Sequence, residues 1–73
     1  MKVGMLWLDT DRKRSLEDKV QRAAEYYQDK YGRFPELCLV NNRVINGEKT
    51  VGRVRVEPAR TVLPDHFWLG MAS

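Results

Sequence analysis

The residues best suited to chemistry are acids and amides that follow two short apolar runs. Asp9 and Asp11 come after the first run, and Asn41 and Asn42 follow the second. Ligands gather beyond the carboxyl ends of parallel strands, so these side chains are expected at one edge of a sheet. Their hard oxygen atoms could bind Mg²⁺. A D-x-D pair without a third acid is weak evidence for a metal, and the sequence favours turn and helix-start roles instead.

Two groups of basic residues could contact phosphate. Arg12, Lys13 and Arg14 precede the longest periodic segment, while Arg53 and Arg55 lie in the second half. They could hold a substrate phosphate beside a helix N-terminus, or a nucleic-acid backbone. The net charge of +3, from 13 basic and 10 acidic residues, is a mild imbalance. Clusters this small are more often a solvated surface.

The chain offers no convincing catalytic set. Cys38 lies within an apolar run, where a thiol behaves as a small inert hydrophobe. His66 is expected to help its apolar segment to dock rather than to act as a general base. Neither glycine-rich phosphate motif is present. The sequence therefore predicts a non-enzymatic protein with no metal and no cofactor.

The segment Ser15–Tyr31 is predicted to be the helix that positions these residues. Its apolar residues draw one stripe along a helix: Leu16, Val20, Ala23, Ala24, Tyr27 and Tyr31. Ser15 with Asp18 is expected to cap the N-terminus, and Gly32 followed by Pro35 is expected to end the helix.

Two uninterrupted apolar runs flank this helix, Lys2–Leu8 and Leu37–Val40. Continuous apolar runs are typical of strands covered on both faces. A strand, a helix and a strand with short connections predict a right-handed βαβ unit whose strands are parallel neighbours.

The second half predicts one or two further strands. Asn46 and Gly47 are expected to turn a short hairpin within residues 44–51, and alternation from Gly52 to Glu57 predicts a half-exposed strand near an edge. The fold class is therefore α/β: a two-layer βαβ unit with one or two further strands, and a single helix packed on a small mixed sheet. One domain is expected over residues 1–73.

One helix can cover only one face of this sheet, so the second apolar face needs another cover. The apolar tail could fold back over it, or a second copy could dock there. The sequence favours a homodimer or larger homo-oligomer. The candidate interface residues are Trp7, Phe67, Trp68, Leu69 and Met71.

Length and composition set further limits. With 73 residues the chain has room for one domain with a marginal core. A single cysteine is typical of a reducing compartment. The run Val3–Leu8 is too short to cross a bilayer and lacks the small-residue cleavage site of a signal peptide. A cytoplasmic protein with no membrane partner is expected.

Two phrases, KYGRFPELCLV and VEPARTVLPDHFWLG, occur on the scaffold MLWLD followed by a helix. They resemble a group of short bacterial proteins that share KYGRxPxLCxV and VLPxHFWLG-like phrases. The likeness covers most of the chain and implies a bacterial origin. It implies no activity and transfers no functional residue.

These observations rank three functions. Surplus apolar surface without a catalytic set predicts a small interaction module that associates with itself through a sheet face and can also bind a protein partner. The alternative is a nucleic-acid-binding accessory protein that uses its basic residues against phosphates. A Mg²⁺-dependent enzyme built on Asp9 and Asp11 ranks last.

Overall fold

The computed structural model describes residues 4–72, which form one helix and five strands. The strands are β1 (Gly4–Leu8), β2 (Leu37–Asn41), β3 (Lys49–Val51), β4 (Val54–Ala59) and β5 (His66–Gly70), and the helix α1 is Leu16–Tyr31. All five strands form one mixed sheet in the order β1-β5-β2-β4-β3. Helix α1 shares its core with this sheet, so the predicted α/β class is confirmed.

Helix α1 begins and ends as its local sequence predicts. The Ser15 hydroxyl accepts a hydrogen bond from the Asp18 backbone N–H at 3.1 Å. Gly32 ends the helix in the left-handed conformation (φ 79°), which a residue without Cβ adopts at little cost, and its N–H donates to the Gln28 carbonyl. The buried residues of the helix are Val20, Ala23, Ala24 and Tyr27.

The two strands that flank α1 are parallel but are not neighbours, so the predicted βαβ pairing is wrong in this respect. Strand β5 lies between them and is antiparallel to both, and its Trp68 is level with Leu6 on one side and Leu39 on the other. The apolar tail, one of the two candidate covers for the second face, is itself a central strand. The sheet consequently has three strands beyond the first two. Lys2 and Val3, predicted as part of β1, lie outside the described residues.

The hairpin of the second half also differs from the prediction. Strands β3 and β4 are joined through Gly52 and Arg53, and Asn46 and Gly47 instead lie in the connection that follows β2. Gly52 has a φ of 58°, which suits a two-residue hairpin turn. The strand pairing selects this turn, because residues 49–51 lie opposite residues 54–56.

The predicted alternation in β4 is confirmed. Val54 and Val56 are buried, whereas Arg55 lies on the opposite face. The Arg55 N–H donates towards β2, to the Glu36 carbonyl. Backbone groups alternate in direction along the strand, so the nitrogen of Pro58 faces the β3 side. Strand β3 has already ended there, so no hydrogen-bond donor is needed at this position.

The two faces of the sheet differ in cover. The face towards α1, called the covered face here, carries the strand residues of the core: Met5, Cys38, Val40, Val51, Val54, Val56, Phe67 and Leu69. The opposite face is called the open face. Strand β1 is not buried on both faces as predicted, because Leu6 and Leu8 on the open face are 64% and 57% exposed.

Candidate interaction surface

The open face concentrates apolar side chains that face away from the helix. Leu6, Trp68 and Leu39 form one row across β1, β5 and β2, since the strand register places them side by side. Leu63, in the connection from β4 to β5, borders the same area and is 65% exposed. Leu6 and Leu63 are therefore exposed far more than leucine normally is in a core, which is typical of a contact surface.

Trp68 lies flat on this face because the two residues beside it are glycines. A methyl carbon on Gly4 would lie 2.2 Å from Cε2 of the indole, and one on Gly70 would lie 2.4 Å from Cη2. Both distances are shorter than any real contact, so the indole occupies the space that side chains would fill at positions 4 and 70. Trp68 itself stays half-buried, with part of its surface available to a partner.

A cavity of about 360 Å³ opens on the same face. Its sides are the row Leu6, Trp68 and Leu39 on the sheet and residues 61–63 of the β4–β5 connection. His66 also lines it, and its Nδ1 lies 2.8 Å from the Pro64 carbonyl. Since that carbonyl can only accept, Nδ1 carries a proton and Nε2 is the acceptor of the neutral ring. Because most of the residues that line the cavity are apolar, it can receive an apolar side chain.

The positive charge of Arg55 on the open face is neutralised locally. The Arg55 guanidinium lies 2.7 Å from the Glu57 carboxylate and 3.7 Å from that of Glu48. The hydrogen bond to Glu57 and its negative charge raise the pKa of Arg55 above its ordinary value. Because Arg55 is held by two carboxylates, its positive charge is already paired and is not available to an anionic partner.

The structure separates the five predicted interface residues. Trp68 lies on the open face, whereas Phe67 and Leu69 are 4% and 0% exposed in the core beneath α1. Trp7 lies on the helix side of β1, with its ring 4.7 Å from that of Tyr26. Met71, just after β5, is half-buried.

The sequence does not identify the leucines of this surface. The continuous apolar runs around Leu6, Leu8 and Leu39 predict strands covered on both faces, because such runs do not show which face is covered. The pairing of glycines with Trp68 was also missed, since it requires β5 to lie beside β1, and only the strand order supplies that.

The predicted acidic site at the carboxyl edge is occupied by internal contacts. Asp9 accepts a hydrogen bond from the Asp11 N–H at 3.0 Å, and Asp11 accepts one from the Lys13 N–H at 2.8 Å. The Arg14 guanidinium lies 3.0 Å from Asp11 and also approaches Asp9 and Asp18. These contacts fit a turn that leads into α1.

The two asparagines lie at the same sheet edge, but β5 separates them from the acids. Two strand spacings amount to about 10 Å, so the amides are not direct neighbours of the carboxylates. The Asn41 side chain donates to the Val62 carbonyl at 2.9 Å and accepts from the Arg43 N–H at 3.0 Å. Asn41 therefore ties two loops together, and Asn42 is exposed beside it.

The predicted phosphate contacts divide between opposite edges of the sheet. Arg12, Lys13 and Arg14 follow the carboxyl end of β1, whereas Arg53 precedes the amino end of β4. Strands β1 and β4 point the same way, so these groups lie at opposite ends of the strands. Arg53 also lies over the Phe34 ring at 5.2 Å. The five basic residues do not form one continuous patch.

Cys38 is fully buried on the covered face, and burial raises the pKa of its thiol to about 12. A thiol in this state is a poor nucleophile. Within residues 4–72 no group of three or more histidine, cysteine or acidic side chains is placed to hold a metal ion. Helix α1 is too short and polar to cross a membrane, and the described residues form no other helix.

Fold and surface together define a two-layer α/β domain with one helix-covered face and one open apolar face. A search with protein-family models finds no match, and searches of curated proteins and of solved structures find none either. The resemblance to short bacterial proteins therefore stays a prediction.

Proposed function

We propose that this protein is a small interaction module that binds a second copy of itself through the open face. The observation that carries the proposal is the apolar row Leu6, Trp68 and Leu39, bordered by the exposed Leu63. Fully burying a leucine contributes about 1.5–3 kcal/mol relative to leaving it in water. An uncovered row of this kind therefore favours association.

A second copy is the partner that the chemistry of the face favours. The row is apolar and its neighbouring arginine is already paired with Glu57 and Glu48, so Arg55 is not free to bind an acidic partner. A two-fold interface brings the same patch of both copies together, and an apolar patch can bury itself in this way. In such a contact the exposed Leu63 of one copy would face the apolar cavity beside Trp68 of the other.

The size of the face sets the expected strength. Five strands about 4.8 Å apart and about 17 Å long cover roughly 400 Å² in projection. Stable protein interfaces bury about 800 Å² on each partner. The β4–β5 connection adds to the sheet surface, so we expect a dissociation constant in the micromolar range.

Sedimentation of the purified protein from about 1 to 100 µM tests this function, in the range that the expected affinity sets. We expect an average mass above the 8.6 kDa of one chain, and a Leu63→Asp variant should lower it and weaken association at least about tenfold. The matched control is Val44→Asp, because Val44 is also an exposed apolar residue but lines a cavity on the helix side. Equal effects of the two substitutions, or a wild-type monomer throughout, would contradict the proposal.

Nucleic-acid binding is a second candidate, and the half-buried indole of Trp68 is the observation that favours it. Flat aromatic rings on a sheet can stack unpaired bases. It ranks lower because Arg14 and Arg55 are paired with carboxylates and the basic groups are divided. Titration with a short mixed-sequence oligonucleotide at low salt should then shift the Trp68 indole resonance, and added salt should reverse the shift. An unchanged spectrum would remove this candidate.

A further inference from the structure

The two edges of the sheet differ in how they are protected against pairing. Strand β3, at one edge, has three residues, and its Lys49 forms an ion pair with Glu17 of α1. Strand β1, at the other edge, has five residues, GMLWL, with no charge, no proline and no bulge. Charges, proline and short length are the usual means of protecting an edge strand, so β1 is the unprotected one.

The hydrogen bonds of β1 identify which backbone groups are free to pair. The Asp9 N–H donates to the Asp65 carbonyl at 3.0 Å, so position 9 points towards β5. Inward and outward positions alternate along an antiparallel strand. Met5 and Trp7 therefore also point inward, and the N–H and C=O groups of Gly4, Leu6 and Leu8 point out from the described sheet.

We propose that β1 pairs antiparallel with β1 of a second copy, in a register centred on Leu6. This contact uses the edge of the sheet rather than its open face, so it is independent of the proposed function. The two Leu6 residues would face each other and exchange both backbone hydrogen bonds. Gly4 of each copy would pair with Leu8 of the other. This register uses every outward-pointing N–H and C=O group between residues 4 and 8.

The side chains on both faces of β1 fit this register. On the open face each Leu8 lies opposite Gly4, where the indole of Trp68 supplies the apolar surface that glycine lacks. On the helix side each Met5 lies opposite Trp7, which permits a sulfur–aromatic contact. No like charges face each other within residues 4–8. A register shifted by two residues would place Leu8 opposite Leu6 and leave outward groups unpaired.

This pairing would join two five-stranded sheets into one continuous sheet, with both open faces on the same side. Its two-fold axis is perpendicular to the sheet, whereas the axis of a face-to-face contact lies parallel to it. Where the two axes intersect at right angles, both contacts together close into a tetramer. Loss of either one leaves a dimer held by the other, which makes the two proposals separable.

The decisive comparison is Leu6→Pro against Leu6→Thr, both made in the Leu63→Asp background. Both substitutions remove the leucine, but only proline removes the outward N–H, and no hydrogen bond among residues 4–72 uses that group. Proline is tolerated on an edge strand whose N–H faces solvent. We expect Leu63→Asp and Leu63→Asp/Leu6→Thr to sediment as dimers. The proline variant should dissociate at least about tenfold more readily, since it loses both central hydrogen bonds.

Three outcomes distinguish the contacts. A wild-type dimer that Leu63→Asp converts to monomer overturns edge pairing and leaves the open-face contact. A dimer that neither Leu63→Asp nor Leu6→Thr changes, but Leu6→Pro dissociates, supports edge pairing and rejects the open-face contact. Equal dissociation of the proline and threonine variants also overturns edge pairing.

Amide hydrogen exchange on the wild-type chain makes the test independent of whether the proline variant folds. We expect the Leu6 and Leu8 amides to exchange slowly at high protein concentration and at least about tenfold faster on dilution below the dissociation constant. The Met5 and Trp7 amides, bonded to β5, are the internal reference and should stay protected. Rapid exchange of Leu6 at every concentration would overturn the proposal.

Discussion

The covered and open faces of the sheet are built from the same strands, yet they differ in how far their side chains are buried. On the covered face, small β-branched and alanine side chains let α1 approach the sheet closely, and nearly every residue is buried. On the open face, leucines and one flat tryptophan remain accessible. The difference indicates that the covered face supplies the stability of the single domain, while the open face is available for association.

The largest contrast is expected between Cys38 and its neighbour Leu39, which point to opposite faces of β2. Burial raises the pKa of the Cys38 thiol from 9.0 to about 12, which lowers its thiolate population near neutral pH by about a thousandfold. A thiol introduced by Leu39→Cys in a Cys38→Ala background should alkylate about that much faster. Reaction with iodoacetamide at pH 8, followed by mass spectrometry, measures both rates.

The same experiment reports on association. If the open face binds a second copy, labelling of the thiol introduced at position 39 should slow as protein concentration rises, because the surface becomes covered. Labelling of native Cys38 should not change. Comparable rates at positions 38 and 39 in dilute protein would show that the two faces are equally accessible, which contradicts the division proposed here.

The second contrast compares the same substitution on the two faces. Leu69 is fully buried in central strand β5, so Leu69→Ala should lower the free energy of unfolding by about 2–5 kcal/mol. Leu6 is 64% exposed, and Leu6→Ala should change the free energy of unfolding by less than about 1 kcal/mol. Urea denaturation of dilute protein measures both. Similar losses would mean that the open face also contributes to the core.

The third contrast tests whether the Trp68 indole lies flat over Gly4 and Gly70. Gly70→Ala places a methyl group where the indole lies, so the ring must move, at a cost of about 1–3 kcal/mol. The indole N–H resonance of Trp68 should shift, while that of Trp7, on the covered face, is the internal reference. Gly4→Ala should displace the same ring from the edge strand. An unmoved Trp68 resonance in both variants would reject the flat arrangement.

Helix α1 was predictable because its stripe, its Ser15 cap and its Gly32 end are all written within a few residues. The alternation of β4 was predictable for the same reason. Such local patterns need no knowledge of the rest of the chain.

The strand order was not predictable, because it depends on distant partners. Strand β5 looked like a docking tail, and its place between β1 and β2 satisfies backbone groups on both of them. The same insertion moved Asn41 away from Asp9 and brought Trp68 onto Gly4. Candidate sites assembled from adjacent strands were therefore wrong once β5 separated β1 from β2. The predicted hairpin turn at Asn46 and Gly47 was wrong for a related reason, because strand pairing selects the turn at Gly52.

The smallest effect is expected at the rim of the covered face, where Lys49 of β3 pairs with Glu17 of α1. The hydrogen bond and positive charge of Lys49 lower the pKa of Glu17 below its usual 4.5. A carboxylate with a lowered folded pKa stabilises the fold above its unfolded pKa, and this contribution is lost as pH falls through the folded value. Acidification from about pH 6, which lies above the ordinary pKa of glutamate, should therefore destabilise the wild type slightly more than Glu17→Gln.

The matched control is Glu25→Gln, because Glu25 is also exposed on α1 but its hydrogen bond is to Gln21 of the same helix. Urea midpoints between pH 6 and pH 3, a window spanning the ordinary pKa of glutamate, give the comparison. The Glu17 effect should shrink at high salt, since both partners are exposed and screened. If Glu17→Gln and Glu25→Gln follow the same pH profile, then the edge strand β3 is held to α1 by packing alone.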